Sequence, residues 1–227
     1  AAIDKAVLKI YKKSKTKSPL LEDLYAELRK LGQLKLCEKL EKYISGSLAD
    51  VFNAQTNVKL DNRLVVFDIK DLPENLRQIM MLIISNFVKN QVMAKPEKRL
   101  LIIDEGWILL QHEESARFVA GLVRRARKYY LGVSIISQQA NDFLKSEYGR
   151  AIASQSALRI LMRQDTTTIK GVVNEFNLSE YEQSFLLTCE RGDALLIADQ
   201  NHVAVKVVAA EKEHPLITTN PAELYLS

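Results

Sequence analysis

A chain of 227 residues that is 47% hydrophobic can bury a sizeable core, which excludes a disordered or fibrous class and points to one large domain, alone or with a small second one. The formal net charge of +4 is too small to indicate nucleic-acid binding by itself. Cys37 and Cys189 lie far apart without metal-ligand spacing and read as ordinary buried thiols of a reducing compartment, with no disulfide.

Eight glycines and five prolines are few for this length, so short connections and long helices are expected. No run reaches the roughly 18 to 20 apolar residues of a membrane helix, and charges interrupt the N-terminal apolar positions as they would not in a signal peptide. A soluble protein with at most peripheral membrane contact is expected. Ile3, Val7, Leu8, Ile10 and Tyr11 stand at helical spacing, and the helix closes in Lys12 and Lys13, with Lys15 and Lys17 beyond. That basic knot reads as a solvated helix end. Ser18-Pro19 has the form of an N-cap and first helical position, followed by the stripe Leu20, Leu21, Leu24, Leu28 and Leu31 up to Gly32. Leu34 to Ile44 continues the same pattern to Gly46. Residues 1–55 therefore read as a helical subdomain.

From Asp61 the period changes. Arg63 to Ile69 is apolar and β-branched and reads as a central strand, and Asp71-Leu72-Pro73-Glu74 as a helix start opening a buried helix through Ile79 to Val88, ending near Pro96. Arg99 to Ile103 is a short strand apolar on both faces, which belongs in a sheet covered by helices; it delivers Asp104 and Glu105 to its C-terminal end, where ligands of such sheets bind. A right-handed βαβ unit through these pieces is expected. The basic run Arg124, Arg125, Arg127 and Lys128 ends the next helix, and Gly132 to Ser137 forms a second apolar strand ending in Gln138-Gln139. Helical pieces over 141–155 lead to a strand over 157–163. Asp165 opens a helix to about Asn174, and Ser179 with Glu182 makes a capping box for a helix to Cys189. Asp193 to Ala198 and Val203 to Val208, joined by Asp199-Gln200-Asn201-His202, read as an antiparallel hairpin at a sheet edge, and an irregular tail follows Glu211.

The pair Asp104-Glu105 after four apolar residues is a Walker B pattern, and by itself it serves equally as a helix N-cap. Four blocks together are more specific: LLIIDEGWILLQHEESARF over 100–118, RRARKYYLGVSIISQQ over 124–139, LRILMRQD over 158–165 and ERGDALLIADQNHVAVKVVA over 190–209. They resemble the type IV secretion and conjugative-transfer ATPases of the TraC, TrbE and CagE class, over roughly residues 1–221. The resemblance implies an α/β, RecA-like P-loop NTPase core of which 56–227 is the second part, with a mostly parallel sheet, a C-terminal antiparallel hairpin and the helical subdomain of residues 1–55 inserted in the core of the parent protein. It implies ATP and Mg2+ as cofactors, with Asp104 holding Mg2+, usually through water, and Glu105 polarising the attacking water. Arg127 matches the arginine finger that reaches a neighbour's γ-phosphate, with Arg124 and Arg125 as rivals, and Gln138, 11 residues on, matches the strand-end glutamine, which otherwise caps its strand. Arg191 with Gly192 resembles the last motif of the family and equally a glycine turn. Arg159 and Arg163 share one strand face and suit an active-site edge, a subunit seam or an ion pair; His112 and His202 read as structural.

The implied partners are other secretion-system subunits at the inner membrane, a homo-hexamer and DNA, with a cytoplasmic, peripherally inner-membrane-associated location. Two further readings stand beside the secretion ATPase: a double-stranded DNA translocase of the FtsK or HerA kind, and a non-catalytic RecA-like scaffold. The second draws on the lack of any G-x-x-x-x-G-K-[ST] in these 227 residues, which removes the cradle for the β- and γ-phosphates. This segment alone is therefore expected to bind ATP-Mg poorly and to be inactive, with the loop either upstream in a longer protein or missing from the family member.

Overall fold

The computed structural model describes residues 2–14, 18–55, 62–69, 71–95 and 97–218. Lys15, Lys17, Asp61 and Pro96, which figure in the sequence reading, lie outside them. The chain divides into two compact units, Ala1–Val66 and Phe67–Ser227.

The first unit is helical: α1 (Ala2–Lys13), α2 (Leu21–Lys30), α3 (Leu34–Ile44) and the single turn α4 (Ala49–Phe52). Its core is Ala6, Leu28 and Cys37, with Leu24, Tyr25, Leu36 and Leu40 packed around it. The start of α2 differs from the expected Ser18-Pro19 cap. The helix begins two residues later because Asp23 reaches back to the Leu20 amide, which donates to Asp23 Oδ2 at 2.8 Å, so an orphan donor of the first turn is satisfied there. Of the lysines closing α1, Lys13 is not simply solvated either. Lys9 and Lys13 converge on Glu27, which is 3% exposed.

In the second unit, α5 (Glu74–Ala94) precedes β1 (Arg99–Ile103), α6 (Trp107–Leu110), α7 (Glu113–Ala126), β2 (Leu131–Ile135), α8 (Ala140–Leu144) and α9 (Glu147–Gln155). β1 and β2 pair in parallel, Arg99 opposite Leu131 through Ile103 opposite Ile135, so α6 and α7 form the crossover of a βαβ unit. The expected unit one step earlier is absent: Arg63–Ile69 joins no ladder among the described residues, and Leu64 and Val66 are exposed. An apolar run becomes a strand only where a neighbour accepts its backbone hydrogen bonds. The start of α5 also differs, since Pro73 rather than Asp71 occupies the N-cap.

β1 is covered on one face rather than two. Ile103 packs with Met81, Leu109, Leu110, Val119 and Ile152, while Leu100 and Ile102, on the opposite face by strand alternation, are 66% and 59% exposed. Below it, Val92, Leu122, Ala126 and Leu131 close the α5–α7–β2 seam.

The chain then forms β3 (Leu158–Leu161), α10 (Ile169–Phe176), α11 (Glu180–Thr188), β4 (Asp193–Ala198), β5 (Asn201–Lys206) and the short α12 (His214–Ile217). The hairpin is antiparallel, as expected, and β3 joins it antiparallel to β4. It is tighter than the sequence suggests: Asp199, at φ +53°, and Gln200 make the turn, and Asn201 and His202 already belong to β5. Leu161, Leu195 and Ile197 pack beneath α10 and α11 with Ile169, Val172 and Leu186. The capping box forms, Ser179 N–H donating to Glu182 Oε2 at 2.7 Å. The α/β class thus holds, with a parallel pair, an antiparallel hairpin and a helical unit at the N-terminus.

Candidate functional site at the end of the parallel strands

Parallel register brings the C-terminal ends of β1 and β2 side by side, and the backbone bonding continues past both. The Ile136 amide donates to Ile103 O at 2.8 Å and the Gly106 amide to Ile136 O at 2.9 Å. The second bond draws the turn after β1 against β2. A Cβ on Gly106 would lie 2.2 Å from Ile135 Cγ2, so only glycine fits there. Between strand and glycine, Glu105 takes φ +50°, a left-handed conformation costing on the order of 1–3 kcal/mol in a residue with a side chain. The Glu105 amide donates to Asp104 Oδ1 at 2.9 Å, which steadies this turn.

The Glu105 carboxylate is then shared between two donors. Trp107 Nε1 donates to Oε2 at 2.6 Å, and Gln138 Nε2, 33 residues away in sequence, donates to Oε1 at 2.5 Å. Glu105 and Gln138 are therefore in one place, and Gln138 does more than end its strand. Asp104 is exposed beside them. Trp107 had no assigned part in the sequence reading; its signal would have been an indole N–H two residues after a carboxylate, within reach of it around one turn. A cavity of about 300 Å3 opens next to the indole, lined by Trp107, Leu110, Gln111, Lys145 and Ser146.

The basic run lies elsewhere. α7 ends at Ala126, one 3-10 turn covers Arg127–Tyr129, and the Arg99 amide donates to Tyr130 O at 3.1 Å. Arg127 thus sits at the N-terminal edge of the strand pair. Glu105 lies past the other edge, beyond four residue steps of strand, or roughly 13 Å. Arg124, Arg125, Arg127 and Lys128 are all exposed; Arg125 Nε donates to Gly121 O at 2.9 Å, a contact that suits a cation in the last turn of a helix.

Arg191 is exposed in the turn before β4, joined by no hydrogen bond or ion pair to Asp104, Glu105 or Gln138 among the described residues. Its neighbour Gly192 has φ +89°, and a Cβ there would lie 2.6 Å from Val207 O. Arg159 donates from Nε to Ala153 O at 2.8 Å and from Nη2 to Ser154 O at 3.2 Å, closing the C-terminus of α9, and enters no ion pair among the described residues. His202 Nδ1 lies 2.6 Å from Glu182 Oε1. Burial raises the Glu182 carboxyl pKa, but the Ser179 donors and His202 outweigh it, leaving it below the ordinary value.

An exposed, hard carboxylate oxygen at the open end of parallel strands fits Mg2+, and Asp104 supplies one. A nucleotide's phosphates are met less completely, because no glycine-rich cradle with its lysine occurs in the sequence. Among the described residues, no helix is long and apolar enough to cross a membrane.

Three comparisons bear on this geometry. The chain is 25% identical over 204 residues to the type IV secretion system protein virB4 of Bartonella quintana (strain Toulouse), covering 82% of this chain and 26% of that protein. It is 24% identical over 148 residues to virB4 of Bartonella henselae (strain ATCC 49882 / DSM 28221 / CCUG 30454 / Houston 1), covering 63% and 19%. The chain thus spans about a quarter or less of the length of these relatives. Its fold is shared with VirB4 of Thermoanaerobacter pseudethanolicus, at a TM-score of 0.82 and 24% identity, over 93% of this chain and 64% of that one. The likeness to the type IV secretion and conjugative-transfer ATPases therefore holds at the level of sequence relatives and of fold. The family model of the TraG P-loop domain matches residues 21–213, most of the chain, and the chain belongs to that P-loop NTPase family.

Proposed function

We propose that this chain is the part of a type IV secretion ATPase that carries the metal-holding and water-activating carboxylates, and that the full-length protein hydrolyses ATP to energise machine assembly or substrate transfer. The observation that carries the reading is the Glu105 carboxylate, fixed at the open end of two parallel strands between Trp107 Nε1 and Gln138 Nε2. Bound ATP and Mg2+ would supply the electrophilic γ-phosphate and the charge that neutralises its oxygens. Asp104 would hold the metal. Glu105 orients the attacking water and takes its proton on an Oε atom, whose remaining lone pairs are open beyond the two donors. Gln138, bonded to the same carboxylate, couples that base to the end of β2.

Arg127, with Arg124 and Arg125 as rivals, acts on the nucleotide of a neighbouring copy in a homo-hexamer, and Arg191 contributes a cation near bound nucleotide. Residues 1–55 are the helical subdomain inserted, along the sequence of the longer parent protein, in its ATPase core, and 56–227 are the second part of that core. Secretion-system subunits at the inner membrane are the partners, with a cytoplasmic, peripheral location, and DNA is a candidate cargo. Residues 1–227 alone lack the phosphate cradle and bind ATP-Mg weakly; the test is calorimetry on this segment, where micromolar affinity would overturn the assignment of the phosphate site.

The base is tested by Glu105→Gln in the full-length protein. It preserves shape and removes the proton acceptor, so ATP affinity should stay within about twofold while turnover falls by about 10²- to 10⁴-fold. Wild-type turnover would overturn the reading.

A further inference from the structure

Trp107 is the chain's single tryptophan, and nothing in the proposed chemistry requires an indole. Yet its N–H is spent on a carboxylate oxygen at 2.6 Å, a charge-assisted bond of the strong kind. The ring is anchored through α6, whose Leu109 and Leu110 are buried in the main core. The other oxygen of the same carboxylate is held from across the strand pair by Gln138. Glu105 itself is in a left-handed conformation that its own backbone disfavours. Two donors on different elements thus fix the plane of a side chain whose backbone would not settle there unaided.

We propose that Trp107 is a positioning residue for Glu105: its indole N–H, together with the Gln138 amide, sets the direction in which the carboxylate points past the end of β1. This rests on the reading of Glu105 as the base. Without the indole donor the carboxylate keeps, among the described residues, the Gln138 amide, which is exposed, and swings about its side-chain torsions. Loss of one hydrogen bond to a charged group is then felt in the step that needs orientation, not in nucleotide affinity. Trp107 touches no reacting atom in this scheme; it acts through Glu105.

A single tryptophan gives the 227-residue chain one indole N–H resonance, so the bond can be read without nucleotide and without activity. In 15N-labelled chain the indole proton should lie downfield and exchange slowly with water. Glu105→Ala should move it upfield and speed its exchange, and Gln138→Ala, which leaves both bonding partners in place, should cause a smaller shift through the loosened carboxylate. In the full-length protein, Trp107→Phe keeps the ring and drops the donor; kcat should fall about tenfold, the size of one such bond, with KM for ATP within twofold. An indole resonance unmoved by Glu105→Ala would overturn the proposal, and it does not depend on the tryptophan variant folding. A moved resonance with wild-type kcat in Trp107→Phe would overturn it too, since the bond would then have no consequence. Failure of the underlying reading shows separately, as wild-type turnover in Glu105→Gln.

Discussion

Gly106 sets how closely the turn after β1 approaches β2, and the closeness is what lets a donor from beyond one strand meet a carboxylate from beyond the other. Gly106→Ala would force its methyl into Ile135 Cγ2, 2.2 Å from the ideal Cβ position, and a β-branched side chain has few rotamers in which to retreat. The expected cost is about 1–3 kcal/mol, read as a lower midpoint in denaturant unfolding. Ile135→Ala removes the obstructing methyl, so in the Gly106→Ala background it should be less destabilising than alone. Additive effects in this double-mutant cycle would mean that the contact is not the cause. This glycine looks in the sequence like part of a motif; the backbone bond from its amide to Ile136 O, which explains it, joins residues thirty apart and leaves no local trace.

At the scale of elements, periodicity marked most helices and strands correctly and mistook their surroundings. Arg63–Ile69 has the composition of a strand, but composition supplies no neighbouring strand, and among the described residues none pairs with it in a ladder. β1 is apolar at every position from Leu100 to Ile103, which in sequence looks like cover on both faces, yet Leu100 and Ile102 are open. Lys13 looked like part of a solvated terminus because the acid it meets, Glu27, is on another helix. Lys9, Lys13 and Lys30 approach Glu27 at 2.6, 3.0 and 3.4 Å. The hydrogen bonds from Lys9 and then Lys13 lower its pKa from 4.5 to about 2. A folded-state pKa below the unfolded one means that the unfolded chain binds the extra proton, so this stabilisation is full above about pH 4.5 and is lost as pH falls toward about 2. Melting temperature of wild type should therefore drop through that window more steeply than that of Glu27→Gln, followed by circular dichroism at 222 nm. Parallel curves for the two would sink the assignment of the triad as a pH-dependent brace.

For the whole molecule, the candidate site was legible in its members and not in its arrangement. Asp104, Glu105 and Gln138 were picked out by their places at strand ends, and Gln138 does meet Glu105. Arg127 was picked out by spacing along the chain, but spacing does not say at which end of a strand a residue emerges. Here the strand pair separates it from Glu105 by roughly 13 Å, with parallel register fixing the two at opposite edges. That separation favours a nucleotide other than the one at its own Glu105 as the target of this exposed arginine. If Arg127 acts on a neighbour, Arg127→Ala should leave nucleotide affinity of the monomeric full-length protein within about twofold and cut only assembly-dependent turnover, by about 10³-fold or more. Mixing full-length Arg127→Ala with full-length Glu105→Gln then separates the two geometries. In mixed rings some interfaces join an intact Glu105 to an intact Arg127, so part of the activity returns. If each site drew both residues from one chain, every subunit would carry a dead site and none would return. Mixed assemblies verified by cross-linking, with no recovered turnover, would end the shared-site assignment and leave Arg127 as a cation of the helix terminus.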